Sequence, residues 1–190
     1  MTASLRGFTL IECLVCLSLL AVLLGAGVPA LQRPLQARAV TALVAAFLSD
    51  LRLARAEALR RGGPVVMCRS ASPEAAEPSC ASLSDSTGTG WASGWIVFVD
   101  QDRDGQRGAA EELLRVQAGN RAVGSIAASG HVSRFRFVGT GRLFNLASAT
   151  TLDFGDPLQL PASARRTVCV SIGGRGRIAG DGSANCTGAA

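Results

Sequence analysis

Three stretches of this chain hold side chains whose types and spacing suit ligand or assembly chemistry. Asp100, Asp102, Asp104, Gly105 and Glu111 satisfy the pattern D-x-[DN]-x-[DN]-G-x5-E in full. Oxygen ligands at that spacing, with a glycine for the sharp turn, are what a calcium ion takes. A strand rather than a helix is expected before this loop, and Arg103 and Arg107 lie inside it. The competing reading is therefore a polar turn whose acids are solvated or paired with those arginines. The second stretch is Gly173-Gly174-Arg175-Gly176-Arg177. Glycines let a backbone approach a ligand closely, and guanidiniums alternating along an extended segment suit phosphate oxygens, which arginine binds bidentately. Arg165 and Arg166 are candidates to widen that patch. Its competing reading is an exposed hairpin turn with solvated arginines. The third is Glu12, set in an otherwise apolar run; a carboxylate within a spanning helix is a functional-site candidate by default, at ~2.5–3.5 kcal/mol for a central position.

The six cysteines fall into two groups. Cys13 and Cys16 lie in the apolar run and read as small packing residues. Cys68, Cys80, Cys169 and Cys186 lie in polar surroundings, and four cysteines allow about three connectivities. The local one, Cys68–Cys80 with Cys169–Cys186, closes two short loops. Neither spacing resembles a zinc site, so disulfides and an oxidising compartment are expected. The single histidine, His131, excludes a histidine-based metal cluster and reads as a surface or strand-start residue. With no G-x-S-x-G and no P-loop either, the chain is not expected to be an enzyme, and no cofactor is expected beyond the calcium considered above.

The elements that must position these residues follow from composition and periodicity. A chain of 190 residues, 48% hydrophobic and 17% charged with a mean hydropathy of +0.29, is long enough for one real core and is not disordered. Every basic residue is arginine, and the net charge of +5 is unevenly placed: residues 74–112 are acidic and the last third is basic, compatible with an anionic partner. Cys13 to Leu31 carries no charge, and a helix of that length spans roughly 28 Å, about one bilayer core. A plain anchor, a secretory signal cleaved near Val28-Pro29-Ala30 and a more specialised segment compete for it. Beyond Pro34, Val40, Val44, Phe47, Leu48, Leu51, Ala54 and Ala58 recur at helical spacing, and Gly62-Gly63-Pro64 stops the helix. Strands are expected at 65–68, 95–99, 112–117, 132–138, 142–146, 150–154 and 167–172. Residues 69–94 read as a long loop. The fold class is α+β, one long helix packed on antiparallel sheet.

Arg6-Gly7-Phe8-Thr9-Leu10-Ile11-Glu12 resembles the class III signal of type IV prepilins and type II secretion pseudopilins. The stretches Leu51–Arg61 and Gly94-Trp95-Ile96-Val97-Phe98-Val99-Asp100 with its acidic continuation are similar to the GspH/FimT branch. The resemblance implies a leader at 1–7, a transmembrane half-helix at 8–31, an amphipathic half at 32–63 and a periplasmic β-rich domain at 64–190. It further implies cleavage after Gly7 by the prepilin peptidase, N-methylation at Phe8, a kink at Pro29, and single-pass residence in the inner membrane before assembly with other pilins or pseudopilins. Glu12 would then pair with the Phe8 ammonium of a neighbouring subunit, neutralising two charges in an apolar bundle. Gly174-Arg175-Gly176-Arg177 is similar to the tail motif of FimT-type minor pilins, some of which bind double-stranded DNA, and this carries a DNA-contact role onto Arg175 and Arg177.

Overall fold

The computed structural model describes residues 9–82, 88–144, 146–182, 184 and 186, with the side chains of 25–33 outside that description. One helix, α1, runs from Leu10 to Arg61, through Pro29 and Pro34, and ends where Gly62 takes a positive φ. Eight strands follow: β1 (Val65–Arg69), β2 (Gly94–Val99), β3 (Leu113–Ala118), β4 (Ile126–Ala128), β5 (Arg134–Phe137), β6 (Thr150–Phe154), β7 (Arg166–Val170) and β8 (Gly176–Gly180). They form two antiparallel sheets, ordered β3-β2-β1-β5 and β4-β6-β7-β8. The chain divides into two units, one up to Leu35 and one from Gln36 onward.

In the second unit the helical spacing does what periodicity dictates. Val40, Leu43, Val44, Phe47, Leu48, Leu51, Ala54 and Ala58 are all buried, in one cluster with Val65, Met67, Trp95, Phe135, Phe137, Leu152, Phe154 and Val168. Phe47 is its centre, edge-on to Trp91, Trp95 and Phe154 at 5.5 Å and to Phe135 at 6.0 Å. Removing such a ring typically costs about 3–5 kcal/mol. The buried Asp50 of α1 accepts from the Trp95 indole at 2.9 Å and meets Arg115 Nε at 3.2 Å, tying the helix to β2 and β3.

β1 and β2 are buried on both faces. Val65 and Met67 face α1, whereas Val66, Cys68, Ile96 and Phe98 form a second cluster under Cys80 and Leu113. The Cys68–Cys80 disulfide holds the connection after β1 over that outer face, and Cys169–Cys186 holds the C-terminal segment on β7.

Two strands were not expected from sequence, β4 and β8, and among the described residues the expected strand 142–146 shows one bridge, Leu143 to Phe137. The segment 173–177 reads as an extended segment or a hairpin turn, with no strand expected beyond it; strand geometry over Gly176–Gly180 is imposed by pairing with β7. His131 lies at the exposed end of a 3-10 turn with a positive φ, not in a strand.

Candidate functional site

The acidic loop joins β2 to β3. Asp100 is fully buried: its Oδ1 accepts from the Gly105 N–H at 3.2 Å, and its Oδ2 faces Arg136 Nη2 at 3.4 Å. Asp102 accepts from the Asp104 N–H at 3.1 Å and Asp104 from the Gln106 N–H at 2.6 Å. One oxygen from each of the three aspartates falls within 4.8 Å of the others. Glu111 is instead turned onto the loop's own backbone, accepting from Gln101 N–H at 2.6 Å and Gly108 N–H at 2.9 Å.

The cations that reach this loop come from β5. Arg136 also donates to the Arg103 carbonyl, and Arg134 donates to the Gly105 carbonyl at 2.8 Å. Gly105 has a φ of 77°, and a Cβ there would sit 3.2 Å from Arg136 Nε, so this glycine serves both the turn and the passage of the guanidinium. Burial pushes the Asp100 carboxyl above its ordinary range, opposed by the Gly105 N–H and by Arg136. Arg103 offers its carbonyl, and Arg107 reaches away to Glu77 at 3.4 Å and to the Pro78 carbonyl at 3.1 Å. Of the competing reading, acids solvated or paired with Arg103 and Arg107, the pairing is corrected: Asp102 and Asp104 are exposed, and the cation at Asp100 is Arg136, two strands away from β2 in the sheet. The alternation Arg134-Phe135-Arg136-Phe137 signalled a polar face, not that the face lies against this loop. One of the two Asp100 oxygens, Oδ2, thus already faces a guanidinium.

The second stretch forms the β7–β8 hairpin, with Cys169 opposite Arg177 and Val170 opposite Gly176. Its turn closes through the Gly174 N–H to Ser171 O at 2.8 Å and the Ser171 N–H to Arg175 O at 2.9 Å. Gly174 and Gly176 face inward, toward the protein and not toward a ligand, whereas a Cβ on Gly173 would meet only Ser171 Oγ, at 3.8 Å. A Cβ on Gly176 would lie 2.6 Å from Leu48 Cδ2 and 2.8 Å from Leu51 Cδ2; one on Gly174, whose φ is 74°, would lie 2.6 Å from Phe137 Cε1. Arg175 and Arg177 alternate with them and are exposed, with no side-chain hydrogen bond or ion pair among the described residues. Arg165 and Arg166, the candidates to widen this patch, are engaged by backbone carbonyls. Arg165 donates to Gly182 O at 3.1 Å, and Arg166 donates to the carbonyls of Ser163 and Arg165, both at 2.7 Å. Arg165 thus braces the C-terminal segment and Arg166 its own preceding turn, roles that adjacency in sequence does not reveal.

In the first unit Thr9 and Glu12 form a capping box. The Glu12 N–H donates to Thr9 Oγ1 at 3.3 Å, and the Thr9 N–H donates to Glu12 Oε2 at 3.2 Å, satisfying helix N-terminal donors reciprocally. Leu10, Ile11, Leu14, Val15, Leu17, Leu19, Leu20, Val22, Leu23 and Leu24 are all exposed, by 52% to 78%. Cys13 and Cys16 are exposed free thiols. Gly7 and Phe8, expected to flank the processing site, lie outside the described residues, as does the side chain of Pro29. Among the described residues no helix is long and apolar enough to cross a membrane; the side chains of 25–31, part of the expected span, are not among them.

A long N-terminal helix whose second half packs on antiparallel sheet defines a pilin-type subunit. Residues 43–174 match the family model described as type II transport protein GspH, and residues 4–28 match the prokaryotic N-terminal methylation motif. The chain belongs to the GspH family. In structure it is similar to the type IV minor pilin FimU of Pseudomonas aeruginosa strain PAO1, with a TM-score of 0.55 and 18% identity over 74% of this chain and 88% of that one. A second crystal form of FimU aligns with a TM-score of 0.47 over 75% and 89% of the two chains. No curated protein matches this chain in sequence. Arg175 and Arg177 lie just beyond the matched segment.

Proposed function

We propose that this chain is a structural subunit, not an enzyme: a minor pilin or pseudopilin incorporated into a type IV pilus or a type II secretion pseudopilus. In this reading it is cleaved after Gly7 by the prepilin peptidase, methylated at Phe8 and held in the inner membrane by α1 until it joins other subunits. The observation that carries the reading is the helix segment from Leu10 to Leu24, whose large apolar side chains are exposed and whose only acid is Glu12. Such a surface needs lipid or other apolar helices around it. The carboxylate of Glu12 needs a cation once the surroundings are dry. An ammonium at Phe8 of a neighbouring subunit supplies that cation, taking over the oxygen that Thr9 holds in the single chain. Replacing Glu12 by alanine should leave the second unit folded and abolish incorporation into filaments, read by shearing and immunoblot. Normal incorporation of Glu12→Ala overturns the charge-pairing account.

A second reading, contact with double-stranded DNA, is favoured by Arg175 and Arg177, two exposed guanidiniums carried two residues apart on a disulfide-braced hairpin. Binding through them would be phosphate-driven and indifferent to base sequence. Each phosphate contact adds about 0.9 to the slope of log K against log salt, so Arg175→Ala with Arg177→Ala should lower that slope by about 1.8. Equal binding by the double variant leaves the hairpin an ordinary surface.

The acidic loop we read as arginine-held, through Arg136 at Asp100, with no metal required for folding.

A further inference from the structure

Arg142 and Phe144 belong to the stretch 142–146 that the sequence reads as a strand. The structure places both beside the arginine hairpin. The Leu143 N–H donates to Ile172 O at 2.9 Å, and Gly174 packs so closely on Gly141 that a Cβ there would lie 2.8 Å from its carbonyl oxygen. The segment 141–144 therefore runs beside 172–174, one chain spacing, about 4.8 Å, away. Arg175 lies on the opposite side of the same segment, its carbonyl accepting from the Ser171 N–H at 2.9 Å. Two chain spacings, roughly 10 Å, separate the two sets, within the combined reach of arginine side chains.

Direction follows from burial. Leu143 is buried in the same core cluster as Leu48, Leu51 and Phe137, while its neighbours Arg142 and Phe144 are both exposed. Gly176 packs on Leu48 and Leu51, while its neighbours Arg175 and Arg177 are exposed. Both pairs point away from one core. The guanidinium of Arg142 carries no hydrogen bond or ion pair among the described residues. Phe144 is 72% exposed, an unusual amount for a phenylalanine in a folded unit. Arg136 approaches one face of its ring, at 5.8 Å from the centroid. Beside it opens a groove of about 460 Å³ between Arg103, Arg136, Val138 and Pro64.

We propose that Arg142 and Phe144 complete the hairpin arginines into a binding strip for single-stranded DNA, Arg142 taking a phosphate and Phe144 stacking an unpaired base over the groove. The proposal rests on the DNA reading above and adds two residues and a strand preference to it. Duplex DNA gives Arg142 the same phosphate contact, but its bases are already stacked and offer Phe144 nothing. An exposed ring in one strip with Arg142, Arg175 and Arg177 is the combination that single strands use, with stacking tolerant of base identity.

The test uses the full oxidised chain in neutral detergent, a fluorescent oligothymidylate and a duplex of equal length, across a salt series. Phe144→Ala should weaken the single strand about tenfold and leave the duplex unchanged. Arg142→Ala should weaken both and lower the salt slope by roughly 0.7–0.9. Both positions are exposed, so melting temperatures should match the parent chain, which removes misfolding as an explanation. If Arg175→Ala and Arg177→Ala abolish binding but Phe144→Ala and Arg142→Ala do not alter it, the strip is overturned while the DNA reading stands. If the parent chain binds neither nucleic acid at low salt, both are overturned. If polyglutamate of equal charge displaces the single strand completely at matched concentration, the surface is one for acidic polypeptides and the proposal fails.

Discussion

Replacing Gly176 by alanine adds one methyl group at the point where β8 lies against α1. Its φ is not in the left-handed region, so the effect is steric alone. The new Cβ would meet Leu48 Cδ2 at 2.6 Å and Leu51 Cδ2 at 2.8 Å, both well inside van der Waals contact. Methyl ends at a surface would swing aside, but Leu48 and Leu51 are 7% and 0% exposed and packed in the main core. Overpacking of that kind costs about 1–3 kcal/mol. For a domain of this size that corresponds to roughly 3–10 °C in melting temperature. The neighbouring Arg175→Ala and Arg177→Ala changes remove exposed side chains and should stay within about 0.5 kcal/mol of the parent. Thermal melts of the oxidised chain in detergent, followed by near-UV circular dichroism, read all three. Adding Gly176→Ala to a Leu48→Ala background should be far less damaging than adding it to the parent, because the cavity receives the methyl; contacting residues couple by about 0.5–3 kcal/mol. A Gly176→Ala chain that melts with the parent, or arginine variants that fall as far as it does, would refute the division of this motif into an inward Gly174 and Gly176 and outward arginines.

Further expectations concern the loop, the disulfide and acid. Arg136→Ala leaves the fully buried Asp100 facing no guanidinium and should destabilise by about 2–4 kcal/mol, somewhat below a fully buried pair because Arg136 is partly exposed. Millimolar calcium should not raise the parent's melting temperature; a clear rise would overturn the arginine-held reading of the loop. Removing the Cys169–Cys186 bridge, which spans 17 residues, should cost about 3 kcal/mol in urea unfolding. Hydrogen bonds from Arg60 and Arg61 hold Glu57 down from 4.5 to about 2, and Arg61 likewise lowers Glu112. Their stabilisation is present above 4.5 and is lost as pH falls toward 2, whereas Asp100, raised by burial, favours the folded state once protonated. Glu57→Gln should therefore flatten the acid limb of a stability–pH curve, and an unchanged limb would count against the pairing.

The long helix was legible because two independent signals agree, the apolar spacing from Val40 to Ala58 and the Gly62-Gly63-Pro64 stop. Strands β1, β2, β5, β6 and β7 were legible from β-branched and aromatic runs. β8 was not, since Gly176-Arg177-Ile178-Ala179-Gly180 has almost no intrinsic strand preference and owes its geometry to β7. At the acidic loop the spacing of carboxylates was visible, but the cation facing them comes from β5, and only tertiary structure brings Arg136 to Asp100. Sequence adjacency suggested that Arg165 and Arg166 extend the basic patch. Backbone carbonyls near and far claim both, while Arg142 arrives beside the hairpin through a chain crossing that no local pattern announces. Thr9 is the converse case: the T-x-x-E spacing with Glu12 is a complete capping-box signal in the sequence itself.

The central claim is that this is a prepilin-type subunit whose helix is exposed for assembly by processing at Gly7. Its most direct test is intact-mass and N-terminal peptide mass spectrometry on chain recovered from membranes containing a prepilin peptidase. The account predicts a mature chain beginning at N-methylated Phe8, with both downstream disulfides formed. A chain that still carries residues 1–7, or one that begins after Ala30 as a secretory signal would leave it, contradicts the account.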